Sequence, residues 1–428
     1  MKQSQYNYIK SYEDGTMLIY NTLSSGVLRL NNEFANQFRE CEENGFEGDS
    51  ALINNLKQGH MILADDYDEK GSLNLRGKMS KFSSYSLTLT ITPTLSCNFK
   101  CPYCYEKGLG TESMSQETQD KLIDFINTQA DHIKALGIAW YGGEPLLEFD
   151  MVEHLSKRII NICNEKNVRY EASMVTNGYL LSEDYANRMK EIAINKIQVT
   201  LDGDAEQHDQ RRICHDGSPT YSTIMDNIAA TCDIIKTNIR INVDKNNFTS
   251  LTTLLDDLKR KELNRKVNIY IAPVDNVNDA YISDECMTVT QFSDLEINFY
   301  DKLVDGGFSE VRMPTAIMGY CGAVSINSFV IDPNGDLYKC WNEVGRIENS
   351  VGSLYSGLKS SFRNCKWLLY DAFNDNDCAD CKMLPVCFGG CAHKALYTTS
   401  DKCKSTKYNL DKMLDLLVKT KSAKLSIN

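Results

Sequence analysis

The spacing of hydrophobic and polar residues changes twice along the chain, near residues 80 and 313. Three short segments in the first part alternate hydrophobic with polar residues and predict a small antiparallel sheet: 6–12, 16–22 and 26–31. Two helices are predicted next, over Asn32–Glu43 and from about Asp49, a plausible N-cap, to Lys57. The polar stretch 65–84 then predicts a linker.

Between Ser84 and Leu303, strand-like segments alternate with helix-like ones, which predicts repeated βα units and a parallel sheet. The six predicted strands are 85–92, 137–142, 170–178, 196–203, 239–246 and 268–274. The predicted helices between them are Gln116–Ala135, Met151–Glu165, Glu183–Ile192, Tyr221–Lys236 and Leu251–Lys261. Six such units predict a partial (β/α)6, TIM-like barrel whose chemistry lies at the carboxyl ends of the strands.

From about Met313 the pattern breaks into irregular, cysteine-rich segments, which predicts a third unit. The predicted class is therefore α/β, with a small N-terminal α+β domain, a barrel and a C-terminal cysteine-rich iron–sulfur domain. The predicted boundaries are 1–80, 84–305 and 313–428. A chain of 428 residues has room for two or three such domains.

Composition narrows the possible functions. A hydrophobic content of 42% is that of a globular protein, and no apolar run approaches the roughly 20 residues of a membrane helix. The first residues lack the apolar core of a signal peptide, so we predict a cytoplasmic protein without a membrane partner. The net charge of −12, with scattered basic residues, disfavours nucleic-acid binding.

Sixteen cysteines are unusual for a cytosolic protein, where a disulfide framework is not expected. Cys97, Cys101 and Cys104 follow the first barrel strand directly, in the spacing C-x3-C-x2-C. Three thiolates on one loop can hold three irons of a [4Fe–4S] cluster and leave the fourth iron open to a small ligand. A structural zinc site is the alternative, but it requires a fourth ligand that is not found nearby in the sequence.

This triplet, with Tyr103 before its last cysteine, resembles the signature of the radical S-adenosylmethionine (SAM) superfamily. The resemblance implies that the open iron binds the amino and carboxylate groups of SAM. It also implies that an electron from the cluster cleaves SAM to methionine and a 5′-deoxyadenosyl radical, which takes hydrogen from a substrate. Tyr103 would lie beside the adenine.

The later strand ends carry residues that match the other landmarks of this superfamily. The resemblance implies that Glu144 accepts from the SAM amino group, that Thr200 lies near the ribose and carboxylate, and that Arg212 clamps the carboxylate. The full predicted set of SAM-contacting residues is Tyr103, Gly142, Gly143, Glu144, Thr176, Thr200, Asp202, Arg212 and Asn242. The glycines and Asp202 could instead form turns, and Asn242 could be an ordinary polar residue of the strand. We interpret His208 as structural.

A second group of seven cysteines lies beyond the barrel and resembles, cysteine for cysteine, the SPASM extension of radical SAM enzymes. The resemblance implies two auxiliary [4Fe–4S] clusters, hence three clusters in all. The first would take Cys321, Cys340 and Cys391, and the second Cys378, Cys381, Cys387 and Cys403. Residues 332–335 predict the turn of a hairpin that brings Cys321 and Cys340 to one face. A pair of zinc knuckles is the alternative, and Cys365 is a further candidate ligand.

SPASM enzymes mostly modify ribosomally made peptides and proteins, so we expect a precursor peptide as substrate and a flavodoxin or ferredoxin as electron donor. Anaerobic sulfatase maturases, which make formylglycine, carry a cysteine where this chain has Asn327 and an aspartate base where it has Trp341. An open auxiliary iron could then bind a substrate thiolate, as in thioether-forming peptide maturases.

The predicted function is therefore a radical SAM oxidoreductase that forms a thioether crosslink. Carbon–carbon or carbon–oxygen crosslinking, epimerisation and formylglycine formation are alternatives with the same core. A non-catalytic electron-transfer or zinc-binding scaffold is an alternative of another class. No catalytic side chain is assigned. The N-terminal domain resembles the winged-helix-like peptide-recognition element of many peptide maturases, and an edge strand there could pair with an extended peptide.

Overall fold

A computed structural model describes residues 1–308 and 313–421. The chain divides into two compact units. The smaller comprises the described residues within 1–82, 311–321 and 370–428, and the larger those within 83–310 and 322–369. The predicted division into 1–80, 84–305 and 313–428 follows the order of the chain and stays a prediction, and its last seven residues lie outside the described ones.

The larger unit is built on six parallel strands, each paired with its neighbours in chain order. They are Ser86–Ile91, Ala135–Trp140, Arg169–Thr176, Ile194–Thr200, Lys236–Val243 and Asn268–Pro273. The predicted α/β class, with six βα units in a parallel barrel sheet, is confirmed. Because all six strands run the same way, their carboxyl ends share one edge, where the connecting loops gather.

The helices of this unit are Gln116–Ala130, Phe149–Glu165, Glu183–Glu191, Ala205–Arg211, Tyr221–Thr231, Leu251–Arg260 and Val289–Asp305. Apart from Ala205–Arg211, whose buried residues are His208 and Arg211, these helices present buried apolar residues, such as Leu122 and Ile126 in the first. Two predicted helices were too long, because Ala135 and Lys236 are already the first residues of the following strands. The spacing of apolar residues does not show where a helix ends when the next strand begins only a few residues later.

The larger unit also contains a short hairpin of the cysteine-rich region. Strand Ser328–Ile331 pairs in parallel with the first barrel strand. On its other side, Ser328–Ile331 pairs antiparallel with strand Asp336–Tyr338. The predicted turn at 332–335 is confirmed, with Gly335 at φ 81° and its N–H donating to the carbonyl of Asp332. Two short strands and a helix follow: Gly352–Ser353, Gly357–Leu358 and Phe362–Leu369. The sequence did not predict that this hairpin extends the barrel sheet.

The smaller unit begins with the predicted antiparallel sheet, formed by Asn7–Ser11, Met17–Asn21 and Val27–Leu30. A second pair joins Lys2–Gln3 to Ile62–Leu63. Its helices are Asn32–Asn44, Ala51–Gln58, Glu69–Lys81, Asn376–Ala379, Leu384–Cys387, Ala392–Tyr397 and Thr406–Lys421. Leu18 and Tyr20 of the sheet pack with Met383, Val386 and Leu410, so the first and last parts of the chain share a core.

The prediction of a linker over 65–84 is wrong, because Glu69–Lys81 is a helix capped by the carboxylate of Asp68. Leu73, Gly77 and Lys81 are buried and four residues apart, so they form one narrow face. The Lys81 Nζ donates to the carbonyl of Tyr370 at 2.6 Å. With so few apolar residues on that face, the helix resembles a polar linker in sequence. Among the described residues, no helix is long and apolar enough to cross a membrane.

Candidate active site

A cavity of about 320 Å³ lies in the larger unit at the carboxyl ends of the barrel strands. Residues of the first strand's loop and of the ends of the other five strands line it. The three cysteines of the C-x3-C-x2-C triplet are among them. Of the predicted SAM-contacting residues, all but Asp202 line the cavity: Tyr103, Gly142, Gly143, Glu144, Thr176, Thr200, Arg212 and Asn242.

The triplet thiols fit an iron–sulfur cluster. The N–H of Phe99 donates to the Cys97 Sγ at 3.4 Å, and burial raises the pKa of Cys97 and of Cys104 to about 12. Such thiols ionise only beside a strong positive charge, which a bound metal supplies. Among the described residues, no three metal-ligating side chains converge on one ion. A [4Fe–4S] cluster has no such requirement, since each thiolate binds a different iron.

Glu144 is fixed by hydrogen bonds within the cavity wall. Its Oε1 accepts from the Thr176 hydroxyl at 2.7 Å, and its Oε2 accepts from the Asn177 N–H at 2.7 Å. Burial raises the pKa of this carboxyl. A Cβ on Gly143 would lie 2.1 Å from the Ser96 carbonyl oxygen, so only glycine lets the two loops approach this closely. The GGEP segment therefore places one carboxylate rigidly, and its contact with SAM stays a prediction.

Tyr103, Asp202, Arg212 and Asn242 form one hydrogen-bonded network. The Arg212 Nη1 donates to the Tyr103 hydroxyl at 2.9 Å, and that hydroxyl donates to the Asp202 carboxylate. The N–H of Asn242 donates to the other Asp202 oxygen at 3.0 Å. Asp202 thus orients the tyrosine from behind the cavity. The Arg212 Nε is buried without a partner, which suits a guanidinium that awaits an anionic group such as a carboxylate.

Arg211 was not predicted as a site residue, although it adjoins Arg212. Its Nη1 donates to the Asp244 carboxylate at 2.6 Å, and its guanidinium lies 5.0 Å from the centre of the Tyr103 ring. The buried pair therefore supports Tyr103 from a second side. His208 is fully buried, and its ring nitrogens meet the Asp202 N–H at 3.2 Å and the Thr220 hydroxyl at 3.1 Å. This geometry supports its interpretation as structural.

One wall of the cavity is aromatic, and the sequence did not predict it. Trp341 packs against Tyr141 with ring centres 4.5 Å apart, and the hydroxyls of Tyr141 and Tyr105 hydrogen-bond to each other. Glu106 lies beside them with a buried, unpartnered Oε1, and burial raises its pKa to about 7. The signal available in the sequence was the Tyr-Glu pair that follows the last cysteine of the triplet.

The smaller unit contains a second cysteine-lined cavity, of about 20 Å³. All four predicted ligands of the second auxiliary cluster line it: Cys378, Cys381, Cys387 and Cys403. The Lys407 Nζ lies 3.5 Å from the Cys403 Sγ and can balance thiolate charge. The cysteines of the other predicted auxiliary set, Cys321, Cys340 and Cys391, are divided between the two units, and that assignment stays a prediction.

Residues 91–276 match the radical SAM superfamily, so this part of the chain is a radical SAM domain and the predicted radical SAM enzyme is confirmed. Enzymes of this superfamily use SAM and a [4Fe–4S] cluster. The cysteine-type anaerobic sulfatase-maturating enzyme of Clostridium novyi is 23% identical, with 72% of this chain and 88% of that enzyme aligned. An uncharacterised protein of Methanocaldococcus jannaschii is 32% identical, but the alignment spans 44% of its length.

Two solved structures share the fold. The sulfatase-maturating enzyme anSMEcpe with bound SAM superposes with a TM-score of 0.58 at 18% identity, over 79% of this chain and 98% of that one. Streptococcus suis SuiB bound to its precursor peptide SuiA superposes with a TM-score of 0.54 at 14% identity, over 94% and 98% of the two chains. At these identities the likeness establishes the fold alone, and the predicted resemblance in fold to a sulfatase-maturating enzyme and to a protein that binds a precursor peptide is confirmed.

Proposed function

We propose that the protein matures a precursor peptide by joining a carbon of one residue to a cysteine sulfur. When bound, the cluster and SAM supply the 5′-deoxyadenosyl radical that takes hydrogen from the substrate carbon. The observation that carries the proposal is the gathering of Cys97, Cys101 and Cys104 in one cavity with Glu144 and Arg212. A thiol triplet, an anion-binding guanidinium and a fixed carboxylate are the groups that hold SAM beside an open iron.

Three residues of the cavity wall hold SAM. Glu144 accepts from the SAM amino group and Arg212 pairs with its carboxylate. Tyr103, held between Asp202 and Arg212, packs along the adenine. Because these hydrogen bonds form before SAM binds, the side chains lose little conformational freedom on binding.

Two features favour a peptide substrate and a thioether product. SuiB, which shares the fold, binds a precursor peptide, and the Clostridium novyi relative is named a cysteine-type sulfatase-maturating enzyme. At the position of the predicted maturase base this chain has Trp341, whose ring packs on Tyr141 in the cavity wall. An indole cannot accept the proton that formylglycine formation requires, so the aromatic wall favours a different oxidation.

The proposed cofactors are SAM and three [4Fe–4S] clusters, with the auxiliary ones on the seven C-terminal cysteines. The second auxiliary set is supported by the four thiols that line one small cavity. The proposed partners are the precursor peptide and a flavodoxin or ferredoxin that supplies the initiating electron. Oxygen-sensitive clusters and a reducing donor fit the proposed cytoplasmic location.

The reaction balances without a further oxidant. SAM, one substrate C–H bond and one thiol become methionine, 5′-deoxyadenosine, the thioether and one proton. The electron that starts SAM cleavage is regained when the C–S bond forms. Each crosslink therefore removes two hydrogens from the peptide, and one SAM is consumed for each.

The test is to reconstitute the chain anaerobically, count iron and sulfide, and add dithionite, SAM and the peptide encoded by a short reading frame beside the gene. We expect about twelve irons per chain, 5′-deoxyadenosine, and a peptide lighter by two hydrogens per crosslink whose cysteine no longer reacts with alkylating reagents. The Cys→Ala peptide is the matched control. Loss of the cysteine sulfur would indicate formylglycine, and an unchanged peptide mass would refute crosslinking.

A further inference from the structure

The barrel interior below the SAM-binding residues is polar, whereas such interiors are commonly filled with branched apolar side chains. On the fifth strand Asn238, Arg240 and Asn242 are half-buried, and the residues between them are fully buried. Side chains two apart share a face of a strand, so Arg240 and Asn242 point to the same side. Both line the large cavity.

Arg240 is a cation that the protein leaves unpaired. Among the described residues, no carboxylate lies within the 4.0 Å of an ion pair with Arg240. Its Nε donates to the Asn242 Oδ1 at 2.7 Å, which fixes the plane of the guanidinium and leaves both Nη groups for another acceptor. Arg212, by contrast, is buried and already donates to the Tyr103 hydroxyl. The cavity thus holds two guanidinium groups, and SAM has one carboxylate.

The cavity that Arg240 lines has about 320 Å³ of space for ligands. On the second strand Gly137 and Ala139 have the same alternation as Tyr141, so that face of the strand carries small side chains. Gln198 and Tyr270 lie on the two strands that flank the fifth strand, opposite Asn238 and Arg240 respectively. The Tyr270 hydroxyl donates to the Gln198 side-chain oxygen across the fifth strand. Their mutual bond leaves the guanidinium to an external partner.

We propose that Arg240 binds a carboxylate of the peptide, either an Asp or Glu side chain or the terminal carboxylate, and so positions the substrate beside SAM. The inference rests on the proposed function, since it names the part of the peptide that this cavity recognises. A guanidinium with one edge fixed presents two parallel donors, which match a carboxylate in a bidentate pair. Arg240 is a specificity-determining residue in this account.

A chemical-protection experiment tests the site without knowledge of the substrate. The reconstituted, SAM-loaded chain is treated with phenylglyoxal, and the modification rate of each arginine is followed by mass spectrometry. N-acetylglutamate amide should slow modification of Arg240, and N-acetylglutamine amide should not. Arg265, which is exposed, is the internal control and should react at one rate throughout. Equal protection by both compounds, or by neither, would overturn the inference.

The second arm uses the maturation assay. Arg240→Gln should raise the peptide KM about tenfold or more with a smaller change in kcat, since a hydrogen-bonded charge is lost from binding. Arg240→Lys should restore part of the affinity, and Arg265→Gln should match the wild type. Replacing the recognised Asp or Glu of the peptide by its amide should weaken binding to the wild type but not further to Arg240→Gln.

The two arms separate this inference from the proposed function. Selective protection of Arg240 without any crosslinked product would leave the carboxylate site standing and refute the thioether reaction. If a crosslinked product forms and the peptide KM is unchanged in Arg240→Gln, the thioether reaction stands and the carboxylate site is refuted. If Arg240→Gln weakened SAM binding as much as peptide binding, Arg240 would belong to the SAM site and the inference would fail.

Discussion

The two cysteine-lined cavities of this protein differ in what accompanies the thiols. The cavity of the larger unit has three cysteines, about 320 Å³ of space and several charged side chains. The cavity of the smaller unit has four cysteines and about 20 Å³. Three thiolates leave one iron of a cluster open, whereas four close it. The thiol count and the free space agree, so the first cavity suits catalysis and the second suits storage or transfer of electrons.

The largest expected effect is on SAM cleavage, and it distinguishes the two cavities. Cys101→Ala removes a ligand of the open cluster, so 5′-deoxyadenosine formation should fall by about 1,000-fold or more. Iron should fall from about twelve to about eight per chain. The control is Cys286→Ala, whose cysteine lies in neither set and should leave both values unchanged. Full SAM cleavage in the Cys101 variant would end the assignment of this cavity.

The second prediction concerns the four-cysteine cavity. Cys387→Ala should also cost about four irons, but SAM cleavage should fall by no more than about tenfold, since we propose that SAM binds in the other cavity. Crosslinking should fall by about 100-fold if electrons pass through this cluster. The measurement is the ratio of crosslinked peptide to 5′-deoxyadenosine. A ratio equal to that of the wild type would assign the second cavity a purely structural role.

The third prediction tests how the open cavity holds SAM. Arg212→Met should raise the SAM Kd about 10- to 100-fold, because a charged hydrogen bond contributes about 1.5–3 kcal/mol. Arg212→Lys should recover part of the loss, since it keeps the charge but not the forked donors. Equilibrium dialysis under anaerobic conditions gives the Kd directly. Unchanged binding in Arg212→Met would place the SAM carboxylate elsewhere.

Features with a local pattern could be predicted from the sequence. The six barrel strands follow from runs of Val, Ile, Leu and Thr, and the thiols of each cavity from their spacing. The helix Glu69–Lys81 was missed because three buried positions in a polar segment give a weak periodic signal. The hairpin at Ser328–Ile331 was assigned to another domain because pairing with the first strand joins residues some 240 apart.

The candidate site could likewise be predicted from the sequence only where its residues form local motifs. Its cysteines and glycines are contiguous motifs, and the cavity contains those of the triplet and the GGEP segment. The bonds from Arg212 and Asn242 to Tyr103 span 109 and 139 residues. In the sequence Trp341 is only a departure from a known pattern, and its packing on Tyr141 depends on tertiary structure. Motifs therefore identify ligands, whereas the fold decides which side chains support them.

The smallest predicted effect concerns the packing beside Cys387, one of the residues that line the four-cysteine cavity. A Cβ at Gly77 would lie 2.6 Å from the Phe388 Cε1, and Phe388 directly follows Cys387. Phe388 is fully buried against Tyr320, with ring centres 5.2 Å apart, and has little space to move. Gly77→Ala gains about 1 kcal/mol in helix propensity, but overpacking costs about 1–3 kcal/mol. We expect the overpacking to prevail.

The free energy of unfolding of Gly77→Ala should therefore fall by about 1 kcal/mol in denaturant titrations. Leu75→Ala is the control on the same helix, since its side chain is 61% exposed and the change should stay within about 0.5 kcal/mol. SAM binding should be unchanged in both variants. A more stable Gly77→Ala protein would mean that Phe388 yields to the added methyl group. The packing next to Cys387 would then be compliant, and the helix propensity of alanine would outweigh the overpacking.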